Sequence, residues 1–207
     1  MNARLRLASA RLYLVLEGRD VDVLEPALRG GVDVVQLRDK ELSDDELVRA
    51  AGPFRRACTE HGALFVLNDR PDLVDACDAD GVHVGQSDAS VADARAAVGG
   101  ECIVGLSIET EEQLGTIDGA DYLGVGAVFA TPTKTESVAG GLELVRATAA
   151  RVRVPWFAIG GIELGNVAKV AAAGAPGVAV VRAIRDADDP EAAARALRAA
   201  LGEPPPS

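Results

Sequence analysis

Short β-branched apolar runs alternate along the chain with longer Ala/Leu/Arg/Glu stretches whose apolar residues recur at helical spacing. The runs predict strands at Leu12–Leu16, Val32–Leu37, Leu64–Asn68, Gly81–Val84, Cys102–Ser107, Tyr122–Val128, Trp156–Ile159 and Gly177–Val181. Helices are predicted between them, among others at Asp44–Glu60, Val91–Val98, Glu111–Ile117, Leu142–Val152, Leu164–Ala173 and Pro190–Leu201. Ser43 with Glu46 has the spacing of a capping box, and Thr110 precedes Glu111 and Glu112. Gly31, Gly62 and Gly174 fall where helices must stop before the next strand.

Strands that are apolar at nearly every position, such as Gly177 to Val181, are buried on both faces, as in a parallel sheet covered by helices. Eight alternations favour a closed barrel, whereas six or seven would suit an open doubly wound sheet. The expected fold is therefore α/β, a single-domain (β/α)8 TIM barrel, and 207 residues are close to the lower limit for one. Residues 1–10 read as a lead-in, and residues 202–207, with three consecutive prolines, as a frayed tail.

Composition narrows the class without naming the chemistry. With 48% hydrophobic residues the chain can build a substantial core, and no apolar run approaches the ~20 residues that span a bilayer. Arg4 and Arg6 interrupt the start, which lacks the apolar centre of a secretory signal. Cys58, Cys77 and Cys102 are scattered and odd in number, which argues against a disulfide framework and for a reducing, cytoplasmic compartment. His61 and His83 are too few for a His-rich metal site. A formal net charge of −11 disfavours nucleic acid or an anionic membrane as a partner. It leaves room for a small anionic substrate wherever a few cations gather in a cleft.

In a barrel of this kind function lies at the C-terminal ends of the strands. The second strand runs out into Gln36, Leu37, Arg38, Asp39 and Lys40, and a period of two puts Gln36, Arg38 and Lys40 on one face. An amide and two cations suit a phosphate or diphosphate; a solvated charge cluster leading into a helix is the other reading. Asp69 follows the third strand and Asp88 the fourth. Carboxylates on neighbouring strand ends can share Mg²⁺, though each also stands where a helix N-cap belongs. The loop Phe129–Thr135 sets hydroxyls and N–H groups around Lys134, as an oxyanion cradle or as an exposed polar loop. Gly160, Gly161, Val181 and Arg182 follow strands seven and eight, where barrels commonly hold phosphate. From sequence, Ser107 reads as a buried hydroxyl bonded to backbone or as a substrate ligand. His83 reads as a packed barrel histidine rather than a base. Together these features describe a barrel that handles a diphosphate with Mg²⁺, and a second phosphate.

The segments QLRDK, LNDR, DGVHVGQSD, GLSIET, VGAVFATPTKT, FAIGGI and VVRAI occur in an order and spacing that resemble the thiamine-phosphate synthase family over essentially the whole chain. The resemblance implies that Gln36, Leu37, Arg38, Asp39 and Lys40 grip hydroxymethylpyrimidine diphosphate, with Asn68, Ser107 and Lys134 as further contacts. It implies Asp69 and Asp88 as ligands of one Mg²⁺ ion, and Thr131, Pro132, Thr133, Gly161, Val181 and Arg182 as the region binding hydroxyethylthiazole phosphate. Arg38, Lys40 and Lys134 then act catalytically by neutralising the leaving pyrophosphate, in a substitution similar to a dissociative one. No nucleophile or general base is required. A homodimer is a family-level expectation.

Two positions depart from the family pattern: Ala127 stands where Pro is usual, and Arg182 where Ser is usual. Arg182 at the end of strand eight suggests a bidentate clamp on the thiazole phosphate. Rival readings are a thiazole tautomerase-like enzyme, a non-catalytic phosphate-binding barrel and a sugar-phosphate isomerase barrel. The first has no use for a diphosphate grip or a carboxylate pair.

Overall fold

The computed structural model describes residues 2–130 and 140–202. Eight parallel strands close a barrel in strict sequence order. They are β1 (Leu12–Leu16), β2 (Val34–Leu37), β3 (Leu64–Asn68), β4 (Gly81–Val84), β5 (Ile103–Ile108), β6 (Tyr122–Val125), β7 (Trp156–Ile159) and β8 (Gly177–Val180). The helices are α1 (Ala3–Ser9), α2 (Val21–Arg29), α3 (Asp44–His61), α4 (Val91–Val98), α5 (Gly141–Arg151), α6 (Val167–Ala172), α7 (Arg182–Arg185) and α8 (Pro190–Ala200). Among the described residues no helix is long and apolar enough to cross a membrane.

Because side chains alternate along a strand, the barrel has two apolar sets. Tyr13, Val34, Leu64, Val66, Ile103, Tyr122 and Phe157 fill the interior. Their neighbours, such as Leu14, Val35, Phe65, Val104 and Val178, pack outward against the helices. Double-sided burial explains why the strands read as continuous apolar runs rather than as alternating ones.

The lead-in is a structural element. Residues 3–9 form α1, and Leu7, only 1% exposed, plugs the N-terminal end of the barrel interior. The same end is stapled by aspartates that stand just before even-numbered strands. Asp33 accepts the Arg11 and Leu12 N–H groups at 2.8 and 3.0 Å. Asp80 accepts Phe65 N–H at 2.7 Å and Asp121 accepts Val104 N–H at 2.8 Å. Each carboxylate also meets arginine: Arg198 at Asp33, Arg55 at Asp80, and Arg4 together with Arg95 at Asp121.

Burial pushes the Asp121 carboxyl up, but Arg4, the Val104 N–H and Arg95 outweigh it and hold it below the usual range. A carboxyl depressed in the folded state stabilises the fold above its unfolded value of about 4 and loses that contribution as pH falls through the folded one. Asp121→Asn is therefore expected to cost roughly 2 kcal/mol at neutral pH. Thermal melts below about pH 4 should then show a smaller acid-induced loss in the variant than in wild type.

Ser43 and Glu46 form the expected capping box, with Ser43 N–H donating to Glu46 Oε2 at 2.9 Å. Gly31, Gly62 and Gly174 take positive φ (98°, 69° and 103°) where helices give way to strands. The helix expected at Glu111–Ile117 is instead a 3-10 turn at Glu112–Gly115. There the Gln113 side chain accepts the Glu109 and Thr110 N–H groups at 2.7 and 3.1 Å, tying the segment into a turn before Gly115 and Gly119. Strand β6 ends at Val125 rather than at Val128, before the cis peptide between Gly126 and Ala127.

Candidate active site

At the C-terminal rim β3 hands over to Asp69, whose φ of 60° is left-handed. Its N–H donates to the His83 carbonyl at 2.8 Å, which fixes the residue against β4. Asp88 folds back from the loop after β4 to accept Gly85 N–H at 2.9 Å. A Cβ on residue 85 would lie 2.6 Å from that carboxylate oxygen, so glycine is what lets the side chain return. The two carboxyls stand close enough to act on each other's charge. Burial pushes Asp69 above the usual carboxylate range, Asp88 pushes it further, and Lys40 and Asn68 oppose the rise. Lys40 Nζ lies 3.7 Å from Asp69 Oδ2.

Neither aspartate caps a helix. Ser90 caps α4, accepting Asp93 N–H at 3.1 Å, and the 3-10 turn Pro71–Leu73 opens from Arg70. Two neighbouring carboxyls, once ionised, are a donor set for a hard divalent cation. Among the described residues no group of three or more acidic, His or Cys side chains forms a complete cage. A cation at the pair would thus take its other ligands from water or a substrate's oxygens, the usual arrangement for Mg²⁺ with phosphates.

The expected common face of Gln36, Arg38 and Lys40 has strand pairing behind it only as far as Arg38. The ladder's last bond is Arg38 N–H to Leu16 carbonyl, at 2.8 Å, so strand alternation does not carry to Lys40. Gln36 is buried inside the barrel, 4% exposed, while Arg38 and Lys40 are exposed at the rim. Leu37 packs outward with the helix-facing core. Asp39 serves the scaffold, accepting the Gly18 and Glu41 N–H groups at 3.1 Å each. Arg38 and Lys40 line an open cleft of about 560 Å³ together with Glu17, Arg19 and Glu41.

On the far side of the rim, Gly160 and Gly161 have φ of 105° and 64°. The Gly160 carbonyl accepts Phe129 N–H at 2.9 Å, so the loops after β6 and β7 are joined. A Cβ on Gly161 would sit 2.8 Å from the Phe129 Cβ and 3.0 Å from the Ala130 carbonyl oxygen. Val181 packs partly against the interior set, and Arg182 is exposed at the start of α7. Thr131, Pro132, Thr133 and Lys134 lie outside the described residues.

The Ser107 hydroxyl bonds a side chain among the described residues rather than the backbone: its Oγ meets His83 Nε2 at 2.9 Å. His83 Nδ1 meets the Tyr122 hydroxyl at 3.2 Å, Tyr122 meets the Tyr13 hydroxyl at 2.9 Å, and Gln36 Nε2 donates to Tyr13 at 3.1 Å. Burial pushes the His83 imidazole down to about 4 and both phenols up, so every member is neutral at pH 7. The packed-histidine reading of His83 holds. The tyrosines were missed, although their inward positions on β1 and β6 follow from the strand period.

A closed parallel barrel with an acidic pair and cations on its C-terminal rim defines a (β/α)8 barrel of the enzyme type. Comparison with known proteins makes the class particular. The family model described as thiamine monophosphate synthase matches residues 12–184. The chain is 43% identical to the thiamine-phosphate synthase of Arthrobacter sp. (strain FB24), over 97% of this chain and 98% of that one. It is 47% identical to the thiamine-phosphate synthase of Streptomyces avermitilis, over 93% of this chain and 94% of that one. Among solved structures, the thiamine phosphate pyrophosphorylase of Pyrococcus furiosus superposes with a TM-score of 0.86 at 33% identity, covering 95% of this chain and 97% of that one. The chain belongs to the thiamine monophosphate synthase family.

Proposed function

We propose that the chain is a transferase that joins hydroxymethylpyrimidine diphosphate to hydroxyethylthiazole phosphate, giving thiamine phosphate and pyrophosphate. The observation that carries the reading is the Asp69–Asp88 pair with Lys40 3.7 Å away, on the functional rim of a barrel of this family. The C–O bond between the pyrimidine methylene and the diphosphate breaks, and its electron pair leaves with pyrophosphate. The thiazole nitrogen forms the new C–N bond with its lone pair. No proton moves at the reacting atoms, which agrees with a mouth whose one histidine is held neutral.

When bound at Asp69 and Asp88, Mg²⁺ supplies charge neutralisation to the diphosphate oxygens. Lys40, 3.7 Å from Asp69, and Arg38, exposed in the same cleft as Lys40, are the described cations that receive the leaving group; Lys134 is the third we assign. Asn68 favours the ionised form of Asp69, partly offsetting burial and Asp88. The joined glycine loops after β6 and β7, with Val181 and Arg182, are the proposed seat of the thiazole phosphate. The three cysteines are unpaired, which supports a reducing, cytoplasmic setting. A homodimer remains the expected assembly on family grounds.

The test is pyrophosphate release, measured with both substrates, with each alone, and with and without Mg²⁺. Release that requires all three components supports the reading. Release from the diphosphate alone, or none at all, overturns it. Arg182 is exposed, and its guanidinium makes no hydrogen bond or ion pair to another described residue, although its charge reaches Asp186 one turn on, which leaves it available for phosphate. Arg182→Ser is expected to raise the KM for the thiazole phosphate about tenfold, the worth of one charge-assisted bond, with the KM for the diphosphate unchanged. Equal thiazole-phosphate KM values would rule out the clamp.

A further inference from the structure

The five side chains from Gln36 to Ser107 form one continuous hydrogen-bond line through an otherwise apolar interior. Apolar groups would fill the same space with no polar desolvation to offset, so the line calls for a cause. Each phenol has one proton to give, and a neutral imidazole has one N–H and one acceptor nitrogen. Two phenols that both accepted would leave a buried proton unpaired, at about 1–3 kcal/mol. All four bonds therefore point the same way. With Gln36 donating to Tyr13, Tyr13 donates to Tyr122, Tyr122 to His83 Nδ1, and His83 Nε2–H to Ser107. The Ser107 proton is then left over for the mouth. Turning the Gln36 amide over reverses every bond, and Ser107 faces outward as an acceptor while Gln36 offers N–H.

We propose that Tyr13, Tyr122 and His83 are positioning residues that couple the donor–acceptor state of Gln36 to that of Ser107. The mouth thereby presents one donor and one acceptor to an aminopyrimidine ring. This rests on the function proposed above. Gln36 on β2 and Ser107 on β5 stand three strands apart around the barrel, so they address different sides of a ring. The Gln36 carbonyl takes no bond from a described residue, yet no buried side-chain oxygen among them is unpartnered, so its residual exposure falls at that atom. An aminopyrimidine offers an amine as donor and ring nitrogens as acceptors, which suits such a pair in either sense. A ring with acceptors alone would leave one end of the line facing a like group. The glycines opposite make room for the line: a Cβ on Gly124 would lie 3.1 Å from His83 Cε1, and one on Gly105 would lie 2.1 Å from Tyr122 Cζ.

The test is Tyr122→Phe, which keeps the ring and removes only the hydroxyl in the middle of the line. The KM for the pyrimidine diphosphate is expected to rise about tenfold while that for the thiazole phosphate stays unchanged. In a Ser107→Ala background the same change is expected to cost less than twofold, because no serine proton remains to be aimed. Unchanged KM values, equal rises for both substrates, or an undiminished effect in the Ser107→Ala background would each overturn the coupling and leave the synthase reading standing. If Tyr122→Phe does not fold, Tyr13→Phe carries the same expectations. A wild type that releases no pyrophosphate overturns the function itself. The ¹⁵N shifts of His83 read the line without turnover: a ratio of neutral tautomers that changes between wild type and Tyr122→Phe supports it, and an unchanged ratio overturns it.

Discussion

Asp69→Asn is expected to lower pyrophosphate release by about 10²–10³-fold, the usual effect of losing one preorganised charge from a transition-state site. The same change is expected to raise the melting temperature of the metal-free protein. Both follow from one geometry. The Asp69 carboxyl is half-buried beside the Asp88 carboxyl, and burial and that neighbour make its ionised form unfavourable, with Lys40 and Asn68 only partly compensating. In the metal-free fold burial and Asp88 both disfavour the ionised form of Asp69, and an amide at residue 69 removes that charge and offers Asp88 an N–H donor. Adding Mg²⁺ should then raise the wild-type melting temperature and leave that of Asp69→Asn unchanged, by binding linkage. Melting curves and initial rates on the same preparations check both effects. Lower stability in metal-free Asp69→Asn, or wild-type-like release, would show that the pair serves the scaffold.

The barrel was legible because its signal is repeated and local. Each of the eight apolar runs marks a strand by itself, and Ser43 with Glu46 marked the start of α3. At the rim, Asp69, Asp88 and Lys40, singled out from three separate strand ends, are the residues that the fold brings together. What stayed hidden depends on contacts between distant segments. Leu7 shows its role only when α1 is seen to plug the barrel, 7 residues into what read as a lead-in. Asp33, Asp80 and Asp121 each look like ordinary loop acids, and their common duty requires knowing which strand start lies beside each. Gln36 was assigned to the right strand end, but alternation was carried past the point where the strand stops. The helix expected at Glu111–Ile117 failed because a single side chain, Gln113, captured the backbone N–H groups that open the segment.

The rim and the interior divide the work between charge and dipole. Exposed cations and a repelling acidic pair suit a diphosphate, whose charge is large and whose position a flexible lysine can follow. The line from Gln36 to Ser107 is neutral, runs from the buried interior to a half-buried mouth and is held by hydrogen bonds, which suits a ring recognised by its hydrogen-bond pattern. Without the interior line the rim would bind polyanions with little preference among rings.

Gly105→Ala is the change expected to damage that interior most. Residue 105 pairs with Tyr122 across the β5–β6 ladder, and its missing side chain is the space the Tyr122 ring occupies. A Cβ there would lie 2.1 Å from Tyr122 Cζ and 2.5 Å from the hydroxyl, far inside contact distance. The ring is fully buried and packs edge-on against Phe157, with ring centroids 6.1 Å apart, so it has no vacant direction to take. The variant must expel the ring or spread the strands, at roughly 3 kcal/mol, the upper part of the range for overpacked cores. Thermal unfolding measures that cost, and at a temperature where the variant is folded, kinetics measure the rest. The KM for the pyrimidine diphosphate should exceed that of Tyr122→Phe, because the hydroxyl is displaced along with the ring that held His83 in place. A Gly105→Ala protein with wild-type stability and KM would mean that the Tyr122 ring is free to move, and a mobile ring could not hold the line in one sense.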